Sequence, residues 1–323
     1  MTKEVFTMYD IIINPASRSG RGQEYWDRLK PYLEKHQLPF RAHISSHSGH
    51  IAQIMRELTK DLTDDSAVLP VIVLGGDGTV NEALQGISRF DKVALSYIPT
   101  GSSNDFARDL GISKDPIEAL EQILHNPTRK RIDIGSVEYK DCRKPDPETE
   151  KRYFAVSCGM GYDAAICQEA MYSKIKQILN RCGLGKLTYL IVALKQLACA
   201  KSISAKFTIG ANEPIKLRKL LFLSGMNHQY EGGGFMFAPG ADDQDGLLDL
   251  CCVAGVSKLK VLCVLPTAYK GKHFWFRGVD DYHTTEYHLK TSAPMWLHTD
   301  GEIPALTDSI HVICLKEVLE IVF

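Results

Sequence analysis

The segment Val71–Thr79, with the sequence VIVLGGDGT, constrains this chain more than any other feature. Its four leading apolar residues, three of them β-branched, predict a buried parallel strand, and three glycines, a carboxylate and a hydroxyl follow within five residues. Glycine backbone approaches a phosphate without interference from a Cβ atom, and a helix predicted over Asn81–Ser88 would offer its N-terminus to an anion. A plain β-to-α turn needs neither Asp77 nor Thr79, and Asp77 would repel a phosphate unless a cation lay between them. The segment therefore predicts a metal–nucleotide site.

The composition is typical of a globular enzyme of two domains. The 323 residues are 44% hydrophobic, and the formal net charge of −1 argues against a protein that binds nucleic acid through bulk electrostatics. Nine cysteines occur without a C-x-x-C pair, which is typical of reduced thiols in the cytoplasm. The N-terminal residues lack the apolar core of a signal peptide, and Leu184–Ala200 is too short and too polar to span a bilayer. We therefore expect a cytoplasmic protein.

Strand and helix signals alternate through residues 1–130, which predicts an α/β domain with a parallel sheet. The predicted strands are Tyr9–Ile13, Phe40–Ile44, Val71–Leu74 and Ala94–Ile98. The predicted helices are Gln23–His36, His50–Lys60, Asn81–Ser88, Asn104–Leu110 and Pro116–Leu124. Because ligands of such sheets bind at the carboxyl ends of the strands, the loops that follow these strands are the candidate site.

The hydrophobic period changes to two after residue 131, which predicts a second, mainly antiparallel β domain over residues 131–323. Its predicted strands are Ile132–Tyr139, Tyr153–Ser157, Ser204–Ile209, Leu220–Gly225, Leu248–Val253, Thr284–Lys290, Ile310–Cys314 and Val318–Phe323. Only Gly161–Met171 and an apolar stripe at helical spacing from Leu187 to Leu197 indicate helices. The stripe includes Ile191 and Leu194 and is expected to pack in the core.

Polar, glycine-containing loops follow three strands of the first domain. They are Asn14–Gly20, Gly75–Thr79 and Pro99–Asp105. Together they would line one edge of the sheet with amides, hydroxyls and two carboxylates. Asn104-Asp105 could serve only as a helix N-cap, or it could share a metal–phosphate role with Asp77.

Two acidic clusters stand out in the second domain. Asp242, Asp245 and a nearby backbone carbonyl have a spacing that suits a hard cation, although a solvated turn has the same composition. Asp300-Gly301-Glu302 is typical of a type I′ hairpin, but a carboxylate on such a turn could also act as a general base.

Five ordered motifs, which span nearly the whole chain, resemble the diacylglycerol kinase catalytic-domain family of bacterial soluble lipid kinases, relatives of sphingosine kinases and NAD kinases. They are Ile13-Asn14-Pro15 with its Ser/Gly-rich continuation; Gly75–Thr79 with Asn81-Glu82 and Gly86; Thr100-Gly101-Ser102 with Asn104–Arg108; Gly232–Gly234 with Pro239, Asp245-Gly246 and Asp249; and Asp300-Gly301-Glu302. The resemblance implies a NAD-kinase-like α/β domain, a β-sandwich-like second domain and an active site in the cleft between them.

The resemblance also implies roles for the residues that match the motifs. The implied ATP contacts are Asn14, Pro15, Ser17, Ser45, Gly75, Gly76, Asp77, Gly78, Thr79, Asn81, Glu82, Gly101, Ser102 and Asn104. Asp77 and Asp105 would reach a catalytic Mg²⁺ through water, and Glu302 would take the proton of a lipid hydroxyl. Asp242, Asp245 and the Leu247 carbonyl would hold a structural Mg²⁺.

The sequence departs from the family pattern in two places. Arg18-Ser19 spreads the usual Ser-Gly pair of the first loop, which leaves the contacts of that loop open. The chain also ends 21 residues after Glu302, which is enough for two strands but for no long return to the first domain.

The expected function is that of an ATP- and Mg²⁺-dependent lipid kinase of phospholipid metabolism, with diacylglycerol as the first candidate substrate. Sphingosine, phosphatidylglycerol, or a soluble substrate such as NAD stay open, as does a catalytically idle nucleotide-binding or membrane-sensing protein. We expect transient peripheral contact with a membrane and no nucleic-acid partner. The lipid is expected to enter between the domains near Phe274-Trp275-Phe276, unless these aromatics belong to the core. The oligomeric state, a homodimer included, is left open.

Overall fold

The computed structural model describes residues 8–172 and 185–323. The chain forms two compact units, one made of Met1–Ile134 with Lys316–Phe323 and the other of Gly135–Leu315.

The first unit is built on a parallel sheet whose strands follow the buried apolar runs of the sequence. The strands are β1 (Tyr9–Ile13), β2 (Phe40–Ile44), β3 (Leu69–Gly75) and β4 (Val93–Pro99), hydrogen-bonded in the order β2-β1-β3-β4. Every neighbouring pair among them is parallel. The predicted α/β fold of the N-terminal region is therefore confirmed.

Helices cover both faces of this sheet because apolar side chains project from each of them. The helices are α1 (Ser17–Gly20), α2 (Gly22–Lys35), α3 (His50–Thr59), α4 (Asp77–Leu84), α5 (Asp105–Leu110) and α6 (Pro116–His125). Ile72 and Leu74 pack in one cluster with α2 and α6. Val71 and Val73, which alternate with them, are fully buried as well, as a parallel sheet covered on both faces requires.

The second unit is mainly antiparallel β, as its period-two pattern predicts. The strands that lie wholly or partly in it are β5 (Arg129–Lys140), β6 (Thr149–Phe154), β7 (Ser157–Gly161), β8 (Ile203–Ile209), β9 (Ile215–Met226), β10 (Tyr230–Glu231), β11 (Phe235–Met236), β12 (Leu248–Ala254), β13 (Val279–Thr284), β14 (Glu286–Thr299) and β15 (Glu302–Val322). Residues 129–134 of β5 and 316–322 of β15 belong to the first unit. Pairs such as β7·β9, β12·β9 and β14·β15 are antiparallel. Their inward side chains, among them Phe154, Phe207 and Tyr287, form one buried cluster.

Two predicted strand boundaries are corrected by the structure. The predicted strands Ile310–Cys314 and Val318–Phe323 are parts of the single long strand β15. Its last residues pair in parallel with β4, so residues 316–323 belong to the first unit and not to the predicted second domain. The predicted strand Tyr153–Ser157 is broken at Ala155-Val156, where the backbone N–H groups bond to Asp300 instead of a strand.

The helices of the second unit differ from the prediction as well. They are α7 (Tyr162–Tyr172), α8 (Gly185–Cys199) and α9 (Lys258–Val264), and 3₁₀ turns follow at Leu265–Lys270 and His273–Trp275. The sequence indicated no helix at α9. In α8, Leu197 is buried but Ile191 and Leu194 are exposed, so the expected core stripe is wrong at those two positions, while the side chains of Leu187 and Leu190 lie outside the described residues. No helix in the described part of the chain combines the length and apolarity needed to cross a membrane.

Candidate active site

Three loops meet at the carboxyl edge of the first unit's sheet, and hydrogen bonds tie them together. The Asn14 side-chain amide donates to Thr79 Oγ1 at 3.0 Å. The hydroxyls of Ser17 and Thr100 lie 2.8 Å apart, and the Thr100 N–H donates to the Gly75 carbonyl at 2.6 Å. The loops after β1, β3 and β4 thus form one surface, as their positions after neighbouring strands predict.

Glycine is required where two of these loops touch. A Cβ atom on Gly101 would lie 2.7 Å from Gly76 Cα and 2.5 Å from Asn104 Oδ1, which is closer than such atoms approach. The two backbones pack directly on each other, and their amides remain uncovered by side chains of their own.

The glycine-rich segment is the first turn of a helix and not a loop in front of one. Helix α4 begins at Asp77, four residues earlier than predicted, with Gly76 as its N-cap. The N–H groups of Thr79 and Val80 donate to the Gly76 carbonyl at 2.8 and 3.2 Å, and the Gly76 N–H donates to the Thr79 hydroxyl at 3.2 Å. Asp77 and Gly78 therefore stand at the N-terminus of a helix, where backbone N–H groups and the helix dipole favour an anion.

Asp77 joins the second loop to the third. Its carboxylate accepts the Asp105 N–H at 2.9 Å, so it caps the N-terminus of α5. The Tyr97 hydroxyl lies 3.4 Å from the same carboxylate and 3.1 Å from Asn104 Oδ1. Burial, followed by the negative charge of Asp77, raises the pKa of Tyr97 well above its usual value, which keeps this hydroxyl protonated. Asp77 itself is half-buried.

Asp105 is more enclosed than Asp77. Only 6% of its side chain is exposed, and Arg108 Nη1 donates to its carboxylate at 2.9 Å. Asn104, which precedes it, has a left-handed backbone (φ 52°). The structure therefore brings the two carboxylates predicted for metal binding to one place and gives them different surroundings.

The other predicted nucleotide contacts divide into exposed and supporting residues. Ser102 is exposed, and Pro15, Gly78 and Gly101 are partly so. Asn81 and Gly75 are buried, and the Ser45 N–H donates to the Ile13 carbonyl at 2.9 Å. The Glu82 carboxylate accepts the Ile51 N–H at 2.9 Å and so caps α3. These last residues hold the loops in position.

In the second unit, Asp300-Gly301 forms the tight turn that joins β14 to β15. Both residues have positive φ, 50° and 83°, as a type I′ turn requires. The Asp300 carboxylate accepts the N–H groups of Ala155, Val156 and Ser157 at 3.0, 2.8 and 2.9 Å. Three such bonds fix the turn, and Glu302, the first residue of β15, is left partly exposed beside it.

A buried polar cluster, made of Asp163, Glu231 and His298, supports this turn. His298 is fully buried, and its Nε2 lies 3.1 Å from both the Asp163 and the Glu231 carboxylates. Its Nδ1 accepts the Gly301 N–H at 3.3 Å. Pairing of β14 with β7 places His298 opposite Gly159, where a Cβ atom would lie 2.3 Å from Nε2. No pattern in the sequence indicates this cluster, apart from the position of His298 before the Asp-Gly turn.

The hydrogen bonds assign the chemistry of this cluster. The ligand atoms of its three residues lie within 4.8 Å of one another, as they would around a metal ion. With a proton on Nε2, the atom that lies 3.1 Å from both carboxylates, His298 donates to them and has no lone pair at that atom to offer a metal. Burial raises the pKa of Asp163, although the bond from His298 opposes it and the charge of Glu231 adds to it. The cluster is therefore a hydrogen-bonded support for the Gly301-Glu302 backbone.

Replacing His298 with leucine is expected to destabilise the protein by about 3–5 kcal/mol, because the change leaves two buried carboxylates without their shared donor. Urea unfolding of the His298→Leu variant measures this loss. His288, exposed on the same strand, provides the control variant His288→Leu. Equal stabilities of the two variants would show that the cluster does not hold the turn.

The predicted structural metal loop is exposed and locally hydrogen-bonded. Asp242 Oδ1 accepts the Gln244 N–H at 3.0 Å, and Asp245 Oδ1 accepts the Leu247 N–H at 2.7 Å. Asp243, between them, is buried and lies 3.8 Å from His228. Burial raises the pKa of Asp249 to about 6, against the effect of His283 and with that of Asp245. Oxygen donors at Asp242, Asp245 and the Leu247 carbonyl suit a hard cation, and their metal binding stays a prediction.

If this loop holds Mg²⁺, the ion should raise the melting temperature of the wild type even without nucleotide, by binding linkage. The Asp242→Ala/Asp245→Ala variant should show a smaller rise. Thermal melts with and without Mg²⁺ measure the difference, and Asp280→Ala/Asp281→Ala, an exposed acidic pair on β13, is the control. An equal Mg²⁺ response of all three proteins would contradict a site in the loop.

Comparison with known families accounts for both units. Residues 9–137 match the diacylglycerol kinase catalytic domain, and residues 156–322 match the YegS C-terminal NAD kinase beta sandwich-like domain. These matches confirm the predicted family and the predicted α/β plus β-sandwich-like fold class.

Individual relatives agree over most of the chain. YtlR of Bacillus subtilis strain 168 is 27% identical over 297 residues, which are 92% of this chain and 93% of that protein. A diacylglycerol kinase of Mycobacterium tuberculosis H37Rv is 29% identical over 232 residues, 72% of this chain and 70% of its own. A crystal structure of a diacylglycerol kinase from Bacillus anthracis Sterne shares the fold with a TM-score of 0.67 at 18% identity, covering 98% and 97% of the two chains.

Proposed function

The chain belongs to the diacylglycerol kinase catalytic domain family, and from this premise we propose that it is an ATP- and Mg²⁺-dependent lipid kinase. It transfers the γ-phosphoryl group to a lipid hydroxyl, with diacylglycerol as the proposed acceptor and phosphatidic acid as the product. The reaction belongs to phospholipid metabolism.

One observation carries the proposal in the first unit, namely the half-exposed Asp77 at the N-terminus of α4 beside the glycine contact of Gly76 and Gly101. Free backbone N–H groups at a helix N-terminus bind phosphate oxygens, and a carboxylate beside them needs a cation to tolerate that charge. Asp77 and Asp105 are the residues that would position Mg²⁺ on the phosphates, both through water. When bound, the ion neutralises charge on the transferring group.

In the second unit, we assign proton transfer to Glu302. The lipid hydroxyl gives its proton to the Glu302 carboxylate, and its oxygen forms a bond to the γ-phosphorus. The bond from that phosphorus to the bridging oxygen breaks, and ADP leaves with the electron pair. Asp300 and His298 take no part in this step, because their polar atoms are committed to the backbone of the turn.

Two alternatives use the same features in other ways. A kinase of soluble NAD would use the same glycine-rich helix start, and the second unit is itself matched by a NAD kinase-like domain. A catalytically idle nucleotide-binding protein would need no base at position 302. The first unit's match to a diacylglycerol kinase domain favours lipid over NAD, and the carboxylates at positions 77, 105 and 302 favour turnover.

The acceptor is tested by offering diacylglycerol, sphingosine and phosphatidylglycerol separately, each in mixed micelles with Mg-ATP. We expect diacylglycerol to give the highest kcat/KM. Preference for sphingosine or phosphatidylglycerol would replace the proposed acceptor and keep the lipid-kinase class. We also propose that the enzyme is cytoplasmic and contacts the membrane peripherally to reach this substrate.

A further inference from the structure

Residues 256–278, here called the basic segment, carry five cationic side chains and no carboxylate. They contain Lys258, Lys260, Lys270, Lys272 and Arg277 and no Asp or Glu, whereas the whole chain has a net charge of −1. Only Lys260 among these cations is partly buried. The acidic pair Asp280-Asp281 follows the basic segment in the sequence. This stretch of the second unit therefore has a net positive charge, and most of its cations are exposed.

The same segment exposes large apolar side chains. Trp275 is 76% exposed, Leu259 73%, Tyr269 54% and Leu262 41%. They are four of the ten exposed large hydrophobic side chains in the described part of the chain, and all four fall within these 23 residues. Single exposed apolar residues are ordinary, but such a concentration is typical of an interaction surface.

The fold explains why these side chains point outward. Val261 and Val264 on α9 are buried against Phe222, Phe237 and neighbouring residues, which satisfies one face of the helix. Leu259 and Leu262, one helical turn apart, lie on a different face, and Cys263 beside Leu262 is exposed as well. Trp275, the last residue of the 3₁₀ turn His273–Trp275, is exposed, and Lys272 Nζ lies 5.0 Å from the centre of its ring. The segment therefore has a second apolar face that its own unit does not use.

We propose that the basic segment docks this protein onto the surface of an anionic lipid bilayer, and the proposal rests on the lipid-kinase function proposed above. Leu259, Leu262 and Trp275 would enter the interfacial region, and Lys258, Lys270, Lys272 and Arg277 would meet the headgroups. Tryptophan and tyrosine favour this interface because one end of each ring system is apolar and the other polar. Each cation near an anionic surface strengthens partitioning about fivefold.

The charge and the exposed apolar side chains favour an anionic bilayer over two other partners, a second copy of this chain and nucleic acid. In a symmetric dimer the segment would face its own copy and set like charges against each other. Nucleic acid would attract the cations but leave Leu259 and Leu262 without an apolar partner. A bilayer with anionic headgroups complements both properties at once.

Vesicle binding without nucleotide tests the docking surface directly. Trp26 is buried and Trp296 partly buried, so the fluorescence of the exposed Trp275 should report contact. With phosphatidylcholine vesicles containing phosphatidylserine, we expect a blue shift and quenching by brominated acyl chains, both absent in Trp275→Phe. Sedimentation with these vesicles should exceed that with pure phosphatidylcholine. Equal binding to the two vesicle types, or no change at Trp275, would overturn the proposal, as would binding of RNA or self-association through this segment.

Two variants separate docking from catalysis. Leu259→Ser/Leu262→Ser/Trp275→Ser should lower vesicle partitioning about tenfold or more. Val68→Ser/Ile215→Ser, which changes exposed apolar residues elsewhere, should bind as the wild type does. The triple variant should phosphorylate monomeric short-chain diacylglycerol at the wild-type rate and vesicle diacylglycerol more slowly. Wild-type partitioning by the triple variant would refute the surface. If the wild type phosphorylated no lipid at all, the proposed function would be refuted, whereas the result of the vesicle-binding experiment would stand.

Discussion

Asp77→Asn is expected to lower the rate of phosphoryl transfer on the order of 10²-fold or more. Asparagine preserves the side-chain oxygen that accepts the Asp105 N–H, so the cap on α5 should survive. What it removes is the negative charge that would hold Mg²⁺ beside the phosphates. The loss should therefore appear in kcat, while the melting temperature stays close to that of the wild type.

The measurement is steady-state turnover together with a thermal melt. Asp65→Asn, which neutralises an exposed carboxylate outside the three loops, is the matched control and should retain full activity. An Asp77→Asn enzyme within a few-fold of the wild type, at an equal melting temperature, would refute metal positioning by Asp77.

Glu302→Gln is expected to reduce turnover by about 10²–10⁴-fold while ATP affinity is retained. Glutamine has the size of glutamate but cannot accept the hydroxyl proton. The turn should persist, since it is held by the Asp300 carboxylate and by His298, neither of which is changed. Turnover and nucleotide affinity by calorimetry, measured on the same preparation, separate the two effects.

Glu317→Gln, an exposed position on the same strand, controls for a change of charge on β15. A parallel fall of turnover and ATP affinity in Glu302→Gln would assign Glu302 a structural role. The fall of turnover alone is the outcome that the general-base assignment requires.

The sequence predicts the first unit well because three of its four strands, β1, β3 and β4, are short and largely buried apolar runs. Val71–Leu74 could be identified from composition alone, and its neighbours follow from the α/β alternation. The start of α4 could not be identified from the sequence, because Asp-Gly in front of Thr79 is equally typical of a loop. The helix begins there since the Gly76 carbonyl and the Thr79 hydroxyl complete its first turn.

The long strand β15 was missed for a similar reason. Lys316-Glu317 interrupts the apolar alternation, so the local sequence pattern is typical of a turn. In the structure Glu317 has a positive φ of 45°, which marks an irregularity in the strand. Parallel pairing of residues 320 and 321 with β4 continues the strand through this irregularity. Such pairing depends on a partner more than two hundred residues earlier in the chain, which local periodicity does not contain.

The candidate site shows the same division. Asn14, Asp77 and Asp105 follow three neighbouring strands, so their convergence could be expected from strand order. The cluster of Asp163, Glu231 and His298 could not, because its members lie on helix α7 and on strands β10 and β14, which are far apart in the chain. Asp300 was expected as a turn residue, but its three bonds to the broken strand at Ala155-Val156 depend on tertiary structure.

Transfer of the γ-phosphoryl group of ATP to a lipid defines the proposed function. The most direct test incubates the protein with ATP labelled in that group, Mg²⁺, diacylglycerol micelles and NAD together, and locates the label. We expect it in phosphatidic acid, with none formed when Mg²⁺ is chelated. Label in NAD phosphate, or no transfer to any acceptor, would contradict the account.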